Sequence, residues 1–432
     1  MVSAAGEFVL LRDGGQALIR PFQPEDRAAV KALFARISPD SRVLRFHTGG
    51  TLVDDILVDL VTSGHALAAL RGGNLVALAS YARLRDPLGA EMAIVVDDAE
   101  HGRGIGTALF ERLSRDARGE GITHFLAEVL SANTNMLRLL EGLGFQLKRT
   151  VTGGEIEVSV ELRPDPTFVA RADTRMHVAA IASLEPIFHP RAVAVVGASR
   201  RPGSIGHALF HNLLAGGFSG TVYPVNPHAS SVGSVHAYPN LAAIPEPVDV
   251  AVIVVPALAV LAAARESLQA GVRALVVISA GFAEVGEEGR RRQDELLELC
   301  RSHGARLVGP NCMGVLTYSG SNAMNATFAP TLPPPGSVAI ASQSGALGIA
   351  ILEQARQLGL GISSFVSVGN KADLSSNDLL ECWEEDEATG VIVLYLESFG
   401  NPRRFGRIAR RVGARKPIVA VKGGRSQYGR RA

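Results

Sequence analysis

Two glycine-punctuated turns stand out in this sequence as places that could hold phosphate. The first is His101-Gly102-Arg103-Gly104-Ile105-Gly106-Thr107. It follows an apolar strand closed by Asp97 and Asp98 and precedes a helical pattern with Ile105, Ala108, Leu109 and Leu113 on one face. Bare N–H groups at a helix start, aided by the helix dipole, attract anions, and glycines let the backbone come close to them. The plain alternative is a tight strand-to-helix turn, with Asp97 and Asp98 serving as turn or capping residues. The second is Gly197-Ala198-Ser199 with Gly203-Ser204-Ile205-Gly206, after the buried-strand run 191–196. Its glycine spacing is G-x5-G-x2-G rather than G-x-G-x-x-G. The next strand, 221–225, ends in Asn226, where a nicotinamide dinucleotide site would want an acid, so that cofactor is argued against. A further strand, 248–255, ends at Pro256. His207 and His211 are four apart on one helix, a metal-ligand spacing, but no Cys, Asp or Glu set accompanies them; they read as structural, and no metal is expected.

The elements that must position these turns are those of a multidomain α/β chain. At 432 residues, roughly three domains of about 150 residues are expected. Lys+Arg is 43 against Asp+Glu 42, so no global field calls for a nucleic-acid or membrane partner. Hydrophobic residues make up 47%, enough for several cores. Cys300, Cys312 and Cys382 form no CxxC pair, a reduced, cytoplasmic pattern. The longest apolar run, 250–264, contains Pro256 and is too short to span a bilayer, and the N-terminus lacks the basic start of a signal peptide. The proline-containing stretch 164–183 reads as a linker, and the proline-rich 327–337 as irregular. The domains expected are 1–163, 184–326 and 336–432, with strands at 74–84, 90–98 and 124–130 in the first. Alternating strands and helices in the second imply a doubly wound parallel sheet.

The first domain resembles the GNAT acyltransferase family over about 160 residues. The family's pyrophosphate loop, Arg/Gln-x-x-Gly-x-Gly/Ala, matches His101 to Gly106, with His101 departing from the pattern. Asn133 matches the asparagine of its second acyl-CoA motif, and Leu143-Gly144-Phe145 its ending. The resemblance implies that Val95, Val96, His101, Gly102, Arg103, Gly104, Ile105, Gly106, Thr107 and Asn133 hold acetyl-CoA. It also implies that Glu91 is the general base that takes the proton from an attacking ammonium; otherwise Glu91 is a strand-edge surface charge. The family's general-acid tyrosine falls on Leu140, so the thiolate, with a pKa of about 8.5, would leave unaided. Ser38, Arg42, Arg45, Phe46 and His47 are similar to a segment of Pat-type GNAT enzymes near the acceptor side.

The motifs VVGAS…GSIG, PVNP, SAGF and GPNCMG resemble the CoA-binding domain of ADP-forming acyl-CoA synthetases. They imply CoA on Gly197, Ala198, Ser199, Gly203, Ser204, Ile205, Gly206, Asn226 and Pro256. The third domain is similar to the succinyl-CoA-ligase-like domain of the same family. That similarity makes Ser342, Gln343, Ser344 and Gly345 another phosphate turn and Glu397 the glutamate facing a phosphohistidine. In related synthetases the run after Lys422 leads into that histidine; here none of the eleven histidines follows His303, and this domain reads as truncated. The implied fold is α/β: an N-terminal GNAT fold, a Rossmann-like CoA-binding domain and a partial flavodoxin-like domain. The implied function is acetyl transfer from acetyl-CoA to a protein lysine, with the synthetase-like region as regulator. An acyl-CoA synthetase is one candidate acceptor, and an oligomer is left open. The alternatives are a fragment of an ADP-forming acyl-CoA synthetase, or a CoA-sensing module with an inactive GNAT domain.

Overall fold

The computed structural model describes residues 6–46, 58–59, 61–152, 154–163, 165–319 and 322–423. They fall into two compact units, Met1–Ala182 with Ser302–Gly304, and Ser183–Arg301 with Ala305–Ala432. His47 and the run 424–432 lie outside the described residues. Among the described residues no helix is long and apolar enough to cross a membrane.

The first unit is built on β1 (Glu7–Leu10), β2 (Gln16–Pro21), β3 (His65–Arg71), β4 (Asn74–Arg83), β5 (Gly89–Val96), β6 (His124–Leu130), β7 (Leu147–Thr152) and β8 (Glu155–Glu161). They form one sheet in the order β1-β2-β3-β4-β5-β6-β8-β7. Its helices are α1 (Arg27–Arg36), α2 (Pro39–Phe46), α3 (Ile105–Gly119) and α4 (Thr134–Leu143). Strand alternation gives the sheet two apolar faces. On one, Ala90, Met92 and Phe125 pack with Leu109, Phe110 and Leu113 of α3 and Leu140 of α4. On the other, Leu78 and Val95 pack with Val30, Leu33 and Phe34 of α1.

From within the stretch expected to be a linker, 164–183, α5 runs over Pro166–Phe188, and the division between the units falls within it. Asp165 accepts the Phe168 N–H at 2.9 Å, and proline at a helix start costs no hydrogen bond. The prolines that suggested a break therefore mark the helix start.

The second unit holds two sheets. β9 (Ala192–Val196), β10 (Thr221–Val225), β13 (Val250–Ile253), β14 (Ala274–Val277) and β15 (Arg306–Val308) form a parallel sheet in the order β10-β9-β13-β14-β15. The short β11 (Ser231–Val232) and β12 (Val235–His236) make a separate ribbon. The interleaved helices are α6 (Ile205–Ala215), α7 (Ala257–Gln269) and α8 (Glu287–Ser302). The other sheet has β16 (Gly314–Ser319), β17 (Asn322–Thr327), β18 (Pro335–Ser342), β19 (Ile362–Ser367), β20 (Val391–Leu396) and β21 (Ile418–Lys422), in the order β17-β16-β19-β18-β20-β21. Its helices are α9 (Gly345–Gln357), α10 (Ser376–Glu385) and α11 (Pro402–Gly413). β18 begins inside the stretch expected to be irregular, and its pairing with β19 shifts register between Pro335 and Val338.

The two sheets share one core, in which Val193 and Val195 belong to the same cluster as Val366 and Leu394. A buried charge joins them as well. Arg306 of β15, 3% exposed, donates to Asp373 Oδ2 at 2.7 Å and to Ser183 Oγ at 2.5 Å. Asp373 also accepts the Leu307 N–H at 3.1 Å. Burial pushes the guanidinium pKa down, but Asp373 and Asp378 hold it above its ordinary value.

Arg306→Ala leaves Asp373 buried without its main partner, so the second unit should lose about 3–5 kcal/mol of stability. Urea unfolding of the variant checks this, and an unchanged midpoint would mean that the pair is dispensable.

Candidate functional site

The first unit's sheet opens at one place. β5 pairs with β4 along its length, from Arg83–Ala90 to Ala77–Val96. With β6 it pairs in parallel only at Gly89–His124, Ala90–Phe125 and Glu91–Leu126. Beyond Glu91 the strands part, and the β6-facing backbone groups of Met92–Val96 have no strand partner. An unpaired strand edge must find hydrogen bonds elsewhere, and an extended ligand can supply them. Glu91 sits at the vertex, opposite in facing to the buried Ala90 and Met92. Its carboxylate is exposed and makes no hydrogen bond or ion pair among the described residues.

At the open end lies the glycine turn. Gly102 and Gly104 have φ of 78° and 92°, a left-handed conformation that side chains resist. Gly104 is the N-cap of α3 and supplies no side chain to bind the first amides, so the N–H groups of Ile105 and Gly106 point outward. A Cβ on Gly102 would meet nothing within 4 Å, whereas one on Gly106 would lie 2.8 Å from Leu139. The first and second glycines are thus required by backbone conformation, whereas at the third a Cβ would displace the tip of Leu139. His101 Nε2 lies 3.2 Å from the Val96 carbonyl and ties the turn to the strand. Arg103 is taken up by ion pairs with Asp13 and Glu100, so only its backbone is available. The Val95 side chain enters the core against α1, leaving its backbone for the open edge, while Val96 is half-buried beside the turn and Thr107 half-exposed. Asn133 Oδ1 caps α4 through the Met136 N–H at 3.1 Å. Leu140 is fully buried. Asp98 accepts from the Ser41 hydroxyl and the Ser38 N–H, both at 2.6 Å. Burial raises its pKa, but these bonds outweigh that and hold the carboxyl below its usual range. Arg42 donates to the Phe34 carbonyl, so Ser38 and Arg42 brace the chain beside the turn. The side chains of Arg45 and Phe46 lie outside the described residues.

In the second unit both sheets reverse strand order beside the first of their parallel strands, β9 and β18, where open α/β sheets bind ligands at the carboxyl ends. Between β9 and β13 lies the second glycine turn. Gly197 has φ 97°, and a Cβ there would lie 2.6 Å from the Val254 carbonyl; a Cβ on Gly206 would lie 2.2 Å from the Gly197 carbonyl. Strand, turn and helix are therefore packed backbone to backbone. Ser204 caps α6, Ile205 is exposed at 44%, and Pro256 caps α7. Asn226 is not turned toward a ligand: Nδ2 donates to the Ala198 carbonyl and Oδ1 accepts the His228 N–H, both at 2.8 Å. His207 Nδ1 lies 3.2 Å from the Ser199 carbonyl, and its ring stacks on His211 at 6.3 Å.

Between β18 and β20 lies the third turn. Ser344 caps α9, and Gly345 leaves its surroundings open. Ser342 is buried and donates to the Ser344 carbonyl. Gln343 Oε1 accepts the Glu397 and Ser398 N–H groups at 2.5 and 2.8 Å. Both were expected as ligand contacts, but the Ser342 hydroxyl is spent inside its own turn, and the Gln343 side chain joins that turn to the loop after β20, so neither side chain is turned toward a ligand. Lys371 lies in the loop after β19. It donates to the Ser398 carbonyl and hydroxyl at 2.8 and 2.7 Å. Burial pushes its pKa down while Glu397 pulls the other way. Its left-handed φ of 55° has no sequence signal. Glu397 is exposed at this mouth. The carboxyl ends of the two sheets meet at Asn370, which bonds Asn311 at 3.2 Å and Glu284 at 2.5 Å.

Residues 32–145 match the acetyltransferase (GNAT) family, 191–318 the CoA binding domain and 335–432 the succinyl-CoA ligase like flavodoxin domain. The chain is α/β, with an N-terminal GNAT domain, a CoA-binding domain and a flavodoxin-like domain of succinyl-CoA-ligase type. It is 44% identical over 254 residues to the ADP-forming acetate–CoA ligase I subunit alpha of Pyrococcus furiosus, covering 58% of this chain and 54% of that one. The structure of the Ca. Korarchaeum cryptofilum dinucleotide forming acetyl-coenzyme A synthetase 1 with phosphate and ADP is 46% identical. It covers 57% of this chain and 53% of that chain, with a TM-score of 0.55. The GNAT domain of S. lividans PAT is 31% identical over 36% of this chain and 96% of that one, with a TM-score of 0.34. The chain spans about half or less of the length of the curated ligases it matches.

Two independent CoA sites are expected. Gly104→Val forces a β-branched residue to φ 92° and should abolish the first; Gly203→Val, at φ 80°, should abolish only the second. Calorimetric titration with CoA should fall from two sites to one in each variant, and a single site in the unaltered chain would refute the assignment.

Proposed function

We propose that residues 183–423 are the CoA-binding region of a protein of the ADP-forming acyl-CoA ligase type, joined to a GNAT domain that handles acyl-CoA. The observation carrying this reading is the likeness to ADP-forming ligases across both sheets of the second unit, whose carboxyl-end turns are bound together through Asn370 and Gln343. In this reading Gly197–Gly206 holds the CoA phosphates. The α9 N-terminus faces the phosphoryl group being exchanged, with Glu397 beside it. Ligation also needs a nucleophile to carry phosphate, and no histidine follows His303 in the sequence. Acetate, CoA and ATP supplied to the purified chain should therefore yield no acetyl-CoA; turnover above background would expose a carrier elsewhere in it.

A second activity is favoured by the position of Glu91. The strands part directly after it, so an acyl thioester laid along the open edge of β5 comes beside the Glu91 carboxylate at the vertex. Glu91 takes one proton from an approaching ammonium, the amine attacks the thioester carbonyl, the C–S bond breaks, and the departing CoA thiolate takes up the second proton lost by the nitrogen as the amide forms. The acceptor in this reading is a protein lysine. Glu91→Gln should lower acetyl transfer by roughly 100-fold or more while acetyl-CoA binding stays the same. Mass spectrometry of a lysine-bearing acceptor measures the transfer, and unchanged turnover would remove Glu91 from the chemistry.

A further inference from the structure

The phosphate turn of the second unit carries two arginines that its fold does not use. The backbone of Arg201 is held fast. Its N–H donates to Ser199 Oγ at 3.1 Å, and its carbonyl accepts Ser204 Oγ at 2.8 Å. The guanidinium groups of Arg200 and Arg201 are exposed and make no hydrogen bond or ion pair among the described residues. No acid occurs in 197–206 or in 226–230. Where a nucleotide site that reads free ribose hydroxyls places a carboxylate, this chain has Asn226, both ends of whose amide are spent on the turn itself. A ligand whose pyrophosphate lies on this turn thus meets two unpaired guanidinium forks and no carboxylate. Arginine in that setting matches a ribose phosphate, which it can bind through paired charge-assisted hydrogen bonds.

We infer that Arg200 and Arg201 bind the ribose 3′-phosphate of CoA, so that this site selects a phosphorylated ribose over a free one. The inference rests on the reading that Gly197–Gly206 is a CoA site. The turn amides take the pyrophosphate, and the arginines add a second, side-chain contact that sets specificity.

The test is calorimetric titration of the full chain carrying Gly104→Val, which leaves the second site to be read alone. The ligands are CoA, 3′-dephospho-CoA and NADP, whose phosphate is on the 2′ oxygen. CoA should bind about 10- to 100-fold more tightly than 3′-dephospho-CoA, and NADP should not compete. Replacing both arginines by glutamine should bring CoA down to the affinity of 3′-dephospho-CoA and leave the latter unchanged. Equal affinities before replacement, or a preference that survives it, would overturn the inference while leaving the CoA reading intact. Binding of NADP in place of CoA would overturn the choice of ligand, and binding of neither CoA form would overturn both readings. The same titrations with Gly104 intact, fitted to two sites, supply the second-site affinities independently of the first unit's folding.

Discussion

Each candidate phosphate turn among the described residues is a strand handing over to a helix whose opening amides are not all taken up by the protein. The opening N–H groups of a helix have no partner within it, so the turn must stay open or be covered by something that accepts hydrogen bonds. At Gly104 and Gly197 the chain makes the turn in the left-handed region, with φ of 92° and 97°. At Ser344 the N-cap is extended and a hydroxyl takes one of the amides. In each case the groups aimed outward belong to the backbone. The side chains nearby are spent holding the turn: His101 on Val96, Asn226 on Ala198, and Gln343 on Glu397 and Ser398. What such turns recognise is therefore an anion of phosphate size, and finer selection must come from side chains that the turn leaves free.

In the second unit this arrangement requires two sheets to keep their carboxyl ends in register with each other. Apolar packing joins them but is not directional. The polar bonds supply direction: Arg306 with Asp373, and Asn370 with Asn311 and Glu284. Buried charges are costly unless paired. Once Arg306 and Asp373 are buried, only one relative placement of β15 and the loop after β19 satisfies both, and the phosphate turns inherit that placement.

The first unit uses a different device. Its sheet is continuous by strand order, but the β5–β6 ladder stops at Glu91. The helices α3 and α4 fill one face and α1 the other, so the gap between the strands is framed by packed elements. A ligand that enters it completes the hydrogen bonding of a sheet, and the carboxylate at the vertex is placed by the ladder's last pair.

The glycine turns, the strands around them and the α/β class could be read from the amino-acid order alone, because local chain conformation and side-chain period dictate them. β4, β5 and β6 lie close to where their apolar runs end, and Gly102, Gly104 and Gly197 occupy positions that need their conformational freedom. The helical form of Pro166–Phe188 is not legible in the sequence because proline signals both a helix start and a break, and the cap by Asp165 distinguishes them. The parting of β5 from β6, the spending of Asn226 and Gln343 on neighbouring loops, and the left-handed Lys371 reaching Ser398 were decided by tertiary structure. Each depends on a partner 25 to 55 residues away in the chain, or on a ladder that ends, and no local pattern records where a side chain will find its hydrogen bond.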